Sequence, residues 1–147
     1  MALAAILIWY FGLGVLASIG AVAISRARFS PRLEHTFFAL VLIPIAAMYL
    51  VFNAYFGDHS VLRLEVYGVA LFVALALLGL RLPALLILGY ALHGAWDVAH
   101  EAFLYLGPPS GDTRSVTAIP LAYGAFCAAF DWCMAGYFYT RLAAWRS

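Results

Sequence analysis

The feature that most constrains this chain is a series of five apolar runs, each near the length that a helix needs to cross a bilayer. They cover residues 2–24, 35–56, 64–80, 84–106 and 117–139, with short polar or proline-rich breaks between them. About 20 apolar residues span the hydrocarbon core as a helix. Because lipid offers no partner for backbone N–H and C=O groups, runs of this kind must form helices. The sequence therefore predicts an all-α integral membrane protein, a five-transmembrane-helix bundle that forms one domain over residues 1–147.

Composition excludes the other broad classes of protein. Hydrophobic residues make up 67% of the chain and charged residues 10%, against about 45–50% and about 25% in soluble domains. Disordered chains have the opposite bias, with few apolar and many charged residues. The net charge of +1 provides no basic surface for a nucleic acid. Cys127 and Cys133 would point about 240° apart on one helix, so they are not expected to form a disulfide with each other.

The distribution of arginines predicts the orientation in the membrane. Arg63 and Arg114 fall on one side of the predicted bundle, and six others fall on the opposite side: Arg26, Arg28, Arg32, Arg81, Arg141 and Arg146. Positively charged residues favour the cytoplasmic side, so we expect the N-terminus outside and the C-terminus in the cytoplasm. The first run has no positively charged segment before it, so we expect it to be a retained helix rather than a signal peptide. The expected location is a bacterial inner membrane.

The fourth run carries ionisable residues, each of which costs at least about 2.5–3.5 kcal/mol in hydrocarbon. His93, Asp97 and His100 are spaced at i, i+4 and i+7. At about 100° per residue, this spacing places all three on one face of a helix. Side chains so placed can converge on one point, as metal ligands do. We therefore predict a functional site on this face.

Two neighbouring runs add carboxylates to the predicted site. Asp131 lies in the fifth run, 14 residues after Thr117, and His93 lies 13 residues before Leu106. At about 1.5 Å per residue, both sit about 20 Å from the same end of an antiparallel helix pair. Small residues near Asp131 favour close packing of this pair. With Glu65 from the third run, the predicted metal ligands are His93, Asp97, His100, Asp131 and Glu65.

Five further residues are expected around the ligands, as a second shell or as the wall of a pocket: Glu101, Trp96, Tyr123, Cys127 and Asn53. Each also has a simpler explanation. Trp96 could equally face lipid, Tyr123 and Cys127 are types that more often pack than react, solvation of the nearby loop explains Asn53 as well, and Glu101 could lie at the interface. Glu34 and His35, at the start of the second run, are expected to anchor it at the membrane interface.

A divalent transition metal is the expected cofactor, and the residue types do not choose among zinc, iron and manganese. Haem is less favoured, because axial histidines usually come from different helices and His93 and His100 share one. The structural alternative is a set of buried ion pairs that lock the helices together without a metal.

Three kinds of function are compatible with these residues. The favoured one is a metal-dependent membrane enzyme that acts on a lipophilic substrate, although the sequence does not identify its catalytic residues. A proton-coupled transporter would use the same side chains as a relay. An accessory or structural subunit of a larger membrane complex is the third. The expected partners are membrane lipids, a lipophilic substrate and either a second copy of the chain or a larger complex.

A family resemblance rests on residues in three of the runs: Glu65, the segment 89–100 (GYALHGAWDVAH), Pro120, Gly124, Cys127 and Asp131. On these residues the chain resembles a family of small bacterial membrane proteins catalogued as domain of unknown function 6010. The likeness covers about residues 60–140, and chain length and helix order agree. The family pattern has a second histidine after the one at His100, where this chain has Glu101. The resemblance implies a shared site and names no reaction.

Overall fold

The helical class predicted from the sequence is confirmed by a computed structural model, which describes residues 1–57, 59–106 and 116–146. Within these residues there is no strand, and a single short 3-10 helix, His59–Val61, precedes the third of five α-helices. The predicted break at 107–111 and Arg114 lie outside the described residues. The α-helices are α1 (Ala2–Arg28), α2 (Pro31–Phe56), α3 (Leu62–Gly79), α4 (Pro83–Leu106) and α5 (Tyr123–Arg146).

Three helices are long and apolar enough to cross a membrane: α1, α2, and α3 together with the 3-10 helix before it. Large apolar side chains such as Leu16, Leu71 and Leu77 cover their outward faces, which suits contact with lipid better than contact with water. The chain is therefore a membrane protein. α4 is of similar length but carries His93, Asp97, His100 and Glu101, and it is not among these three helices. Five spans and the orientation of the termini remain predictions.

The helices follow one another around an open arc. α1 packs mainly on α5, α5 on α4, α4 on α3 and α3 on α2. The backbones of α2 and α5 are further apart, although their side chains meet in the core and around Glu34. We call the end where α2 and α4 terminate the upper end, and the opposite end the lower end. All six arginines of the predicted cytoplasmic side lie at or near the lower end, and Arg63 lies at the upper end. The arc leaves a groove between α2 and α5.

A glycine allows α1 to approach α5 closely. A Cβ atom at Gly14 would collide with the carbonyl oxygen of Phe126 and lie 2.9 Å from the Cβ of Ala129. The contact is between backbones, so neither side can relieve a collision by changing a rotamer. This close packing matters for function because α5 also contributes to the predicted site.

A buried carboxylate joins three helices at the lower end. Glu34, in the first turn of α2, accepts hydrogen bonds from Ser25 of α1 and from Tyr137, Arg141 and Trp145 of α5. The expectation that Glu34 anchors α2 at the interface is therefore corrected, since it is only 1% exposed.

The next residue, His35, is also buried inside the bundle, with 7% of its surface exposed. Its Nε2 donates to the carbonyl oxygen of Gly79, at 2.8 Å, and its ring stacks on Trp145. It was expected at the interface because sequence position gave no sign that α3 and α5 cover this end of α2.

Helix α5 starts six residues later than the predicted 117. Residues 117–120 are not helical, and Ala122 has a φ of 62°. The Thr117 N–H donates to Glu65 Oε1 at 3.1 Å, while the Glu101 carboxylate accepts from Ala122 and Gly124 at 3.0 and 2.9 Å. These contacts replace helical hydrogen bonds and cap α5. Hydropathy missed the difference because this non-helical segment is itself mainly apolar.

At the lower end the helices extend beyond the apolar runs. α1 continues for four residues past the predicted end, to Arg28, and α2 begins four residues early, at Pro31. Ser30 precedes α2, and its hydroxyl accepts from the Leu33 N–H at 3.4 Å. A serine cap followed by proline is a favoured helix start. Apolar length marks the hydrocarbon region, whereas capping decides where the helix ends.

Candidate functional site

The central feature of the site is a group of three side chains, which we call the His93 cluster: His93, Asp97 and Asp131. His93 and Asp97 lie one turn apart on α4, and Asp131 faces them from α5. His93 Nδ1 is 2.7 Å from Asp131 Oδ2 and 3.2 Å from Asp97 Oδ2. All three residues are 0% exposed. The predicted contact between Asp131 and His93 across antiparallel helices is confirmed.

The donor atoms of the His93 cluster lie at a spacing suited to one cation. One ligand atom from each residue lies within 4.8 Å of the other two. Atoms bound about 2.0–2.2 Å from a single ion are about 3 Å apart from one another. The observed separations of 2.7 and 3.2 Å are of that size.

Several polar atoms of the cluster lack a hydrogen bond. His93 Nε2, Asp97 Oδ2 and Asp131 Oδ1 are buried and have no hydrogen-bond partner among the described residues. Buried polar groups are nearly always satisfied, so an unsatisfied set calls for an ion, a proton or a ligand. With His93 neutral and both carboxylates ionised, the cluster carries two negative charges, which one divalent cation would balance.

Tyr49 of α2 completes the surroundings of Asp97, and sequence analysis did not identify it. Its hydroxyl donates to Asp97 Oδ1 at 2.5 Å, and its ring centroid is 4.4 Å from that of His100. Tyr49 lies seven residues before Phe56, about 10 Å from the upper end of α2. Asp131 lies eight residues after Tyr123, the upper end of α5, so the two residues are at a similar depth in the bundle. A tyrosine in the middle of an apolar run needs a partner for its hydroxyl, which is the signal that could have identified it.

His100 and Glu65 form a separate pair beside the His93 cluster. His100 Nδ1 donates to the carbonyl oxygen of Trp96 at 3.0 Å, because a carbonyl only accepts. His100 Nε2 and Glu65 Oε1, 3.0 Å apart, then share one proton. Both nitrogens of His100 are engaged in this arrangement, and the pair carries no net charge. These two residues lie near the convergent atoms but outside the group, so their role as ligands stays a prediction.

Asn53 and Trp96, both predicted near the site, lie around this pair. Asn53 Nδ2 donates to the Thr117 hydroxyl at 3.2 Å, and the Thr117 N–H binds Glu65. Trp96 is half-buried, and its ring lies between Phe72 and Tyr49. Its position on α4 lets it cover the Glu65–His100 side of the site.

A pocket of about 400 Å³ lies between α2 and α5 and reaches Asp131. Its size falls within the range of small-molecule sites, about 300–1,000 Å³. Among the described residues of the lining, Asp131 is the one acidic or basic side chain, and Tyr123 and Cys127, both predicted at the site, also belong to the lining. Glu101 does not line this pocket; it caps α5. The remaining lining residues are Pro44, Ile45, Met48, Phe126 and Phe130.

Comparison with known families identifies the group to which the chain is related. Residues 13–144 match a family described as a family of unknown function, DUF6010. The chain belongs to the DUF6010 family. The resemblance suggested by residues of the third, fourth and fifth runs is thus confirmed. Neither the curated proteins nor the solved structures contain a match to this DUF6010 member.

The matched region places the whole site within the DUF6010 domain, since it includes α2, α3, α4 and nearly all of α5. In this DUF6010 protein, three side chains from two helices converge and a fourth, Tyr49, supports one of them. A neutral histidine with two carboxylates suits a divalent transition metal. Without a metal, the same groups would hold protons.

Proposed function

We propose that this DUF6010 protein is a membrane-embedded metalloenzyme. His93, Asp97 and Asp131 bind one divalent transition-metal ion, and a lipophilic substrate reaches it through the pocket between α2 and α5. The observation that carries the proposal is the convergence of His93 Nδ1 with the carboxylates of Asp97 and Asp131, each of which keeps one buried oxygen without a hydrogen bond.

The same chain supplies a comparison for a purely structural role. Glu34 is equally buried, and both of its oxygens accept hydrogen bonds, four in all. A carboxylate that only holds helices together is expected to be satisfied in this way. Asp97, Asp131 and Glu65 each keep one oxygen without a hydrogen bond. Only Asp97 and Asp131 also converge with a histidine on one point, and we take this combination as the arrangement of a site that binds an ion.

The chemistry follows from an ion with open positions. Three protein ligands leave room for water or substrate, as in catalytic zinc sites. Such an ion polarises a substrate oxygen or provides hydroxide at neutral pH. Hydrolysis, which consumes only water, lies within this chemistry; oxidation would also require iron or manganese and an oxidant such as dioxygen. The Glu65–His100 pair already shares one proton and lies next to Tyr49, so it is the group best placed to exchange a proton with the site.

Metal analysis of protein purified without chelators tests the proposal. We expect about one equivalent of zinc, iron or manganese in wild type, and at least a tenfold loss in His93→Ala and Asp131→Asn, because each removes a ligand. His59→Ala is the control, since it removes an exposed histidine outside the site. Folded wild-type protein that stays metal-free after all three metals are offered would contradict the proposal.

A proton relay is the second candidate, and one observation favours it. Tyr49, Asp97, His93 and Asp131 form a continuous line of hydrogen-bonded and ion-paired groups. Such a line can pass a proton between its ends. If wild type is metal-free, proton flux into proteoliposomes that is lost in His93→Ala would support this function instead.

Replacement of Tyr49 by phenylalanine tests how Asp97 is held. Loss of the hydroxyl leaves Asp97 Oδ1 without its donor, and groups that orient a ligand typically contribute 10–100-fold to metal affinity. We therefore expect metal affinity to fall by that factor, measured by competition with a chromophoric chelator. Tyr90→Phe is the matched control, because Tyr90 donates to the Phe38 carbonyl, away from the cluster. Equal affinities of the two variants would contradict this role for Tyr49.

A further inference from the structure

The pocket between α2 and α5 opens beside the middle of a candidate membrane span. Its α2 wall includes Pro44, which lies 13 residues after Pro31 in a helix of 26 residues, near the middle of a candidate span. Pro44 is exposed, and Ile45 and Met48 are half-buried. Because this wall is exposed and the backbones of α2 and α5 are apart at this level, a hydrocarbon chain can enter from the side.

A buried carboxylate, which accepts hydrogen bonds, borders the pocket. Asp131 is 0% exposed and lines the pocket. Its Oδ2 is 2.7 Å from His93, whereas its Oδ1 has no hydrogen-bond partner in the described part of the chain. An acceptor at the end of an apolar pocket selects a ligand with a donor at one end of an apolar body.

The charge around the pocket selects the head group. None of the described lining residues is lysine or arginine that could pair with a phosphate or carboxylate head. The divalent ion proposed for the cluster is already balanced by the two carboxylates, so an anionic head would bring an uncompensated negative charge into the apolar pocket. A cationic head would have to leave water to enter from the hydrocarbon, at a cost of several kcal/mol. A hydroxyl donates one hydrogen bond and carries no charge, so it fits both the acceptor and the entry route.

We infer that this pocket binds a neutral lipid with a hydroxyl head group, whose hydroxyl donates to Asp131 and whose hydrocarbon chain lies against Met48, Phe126 and Phe130. The inference rests on the proposed function, since it names the substrate class for the same site. It adds that the substrate enters from the bilayer between α2 and α5.

Photolabelling of the full-length protein in lipid nanodiscs tests the inference. The probes are a twelve-carbon primary alcohol and the corresponding carboxylate, each with the same diazirine on its chain, used at pH 8. We expect the alcohol to label residues 44–48 and 126–130 at least fivefold more than the carboxylate. Asp131→Leu removes the acceptor, so the ratio should fall to about one. Equal labelling of wild type by both probes would overturn the choice of head group.

A second pair of variants tests the location of the chain. Met48→Trp fills the pocket and should lower labelling by the alcohol at least fivefold. Leu77→Trp is the control, because Leu77 is 51% exposed on α3, away from the pocket. Unchanged labelling in Met48→Trp would overturn the location.

The outcomes also separate this inference from the proposed function. Met48→Trp keeps all three residues of the His93 cluster, so its metal content should equal that of wild type. Selective labelling of a metal-free wild type would leave the lipid site standing and remove the metalloenzyme. Bound metal in a protein that both probes label equally would support the metalloenzyme and overturn the lipid site.

Discussion

Replacing Glu34 by alanine is expected to lower the free energy of unfolding by about 3–5 kcal/mol, because it leaves buried partners without their acceptor. Glu34 Oε1 accepts from Ser25, at 3.1 Å, and from Tyr137. Glu34 Oε2 accepts from Arg141 Nε and Trp145 Nε1, at 2.9 and 3.0 Å. The carboxylate therefore links α1, α2 and α5, and its loss would loosen all three. Denaturation of the detergent-solubilised protein, followed by circular dichroism, measures the effect.

Arg141→Ala serves as the comparison for this variant. The Arg141 side chain is 22% exposed, so water can replace part of its interaction, and exposed ion pairs contribute about 0–1 kcal/mol. Glu34 would then still accept three hydrogen bonds. We expect a loss clearly smaller than that of Glu34→Ala. Equal losses would mean that the ion pair, rather than the full set of hydrogen bonds, stabilises the lower end.

Replacing Gly124 by alanine is expected to impair the site without removing any ligand. A Cβ atom there would lie 2.5 Å from the Asp97 carbonyl oxygen and 2.8 Å from Glu101 Oε2. The first contact is with backbone, so the start of α5 must move away from α4. Asp131 lies two turns further along α5 and would shift with it. We expect a loss of about 1–3 kcal/mol in stability and at least a tenfold loss of bound metal.

Gly136→Ala provides the matched control in the same helix. A Cβ atom at Gly136 meets nothing within 4 Å, and alanine is favoured over glycine in a helix by about 1 kcal/mol. This variant should be as stable as wild type or slightly more stable, with its metal content unchanged. If Gly124→Ala and Gly136→Ala retain metal equally, the close contact between α4 and α5 does not position Asp131.

The sequence predicted much of the candidate site because its evidence was local. The spacing of His93 and Asp97 places them on one helical face whatever the helix packs against. Asp131 was matched to His93 by depth, and their contact is confirmed. The depth estimate itself was inaccurate, because α5 begins at Tyr123 rather than at 117. His93 and Asp131 are nevertheless in contact, because small residues along α5 allow it to pack closely on α4.

Other parts of the site depend on contacts between distant segments. Tyr49 was missed because its hydroxyl becomes informative only when α2 lies beside Asp97. Glu65 and His100 were grouped with the other ligands, but their side chains pair with each other. Glu101 had no specific role until the non-helical segment before α5 brought backbone N–H groups to its carboxylate. No periodicity in the sequence reports any of these pairings.

The sequence by itself determined the helical class, the membrane environment and the face of α4 that carries the polar groups. These follow from backbone hydrogen bonding in lipid and from the helical repeat, which act within one segment. Only the tertiary structure decided which oxygen faces His93, which histidine is already paired, and where the groove opens between α2 and α5. Those features arise from the order in which helices pack around the arc and from the approach distances that residues such as Gly124 permit, and both are properties of segments in contact.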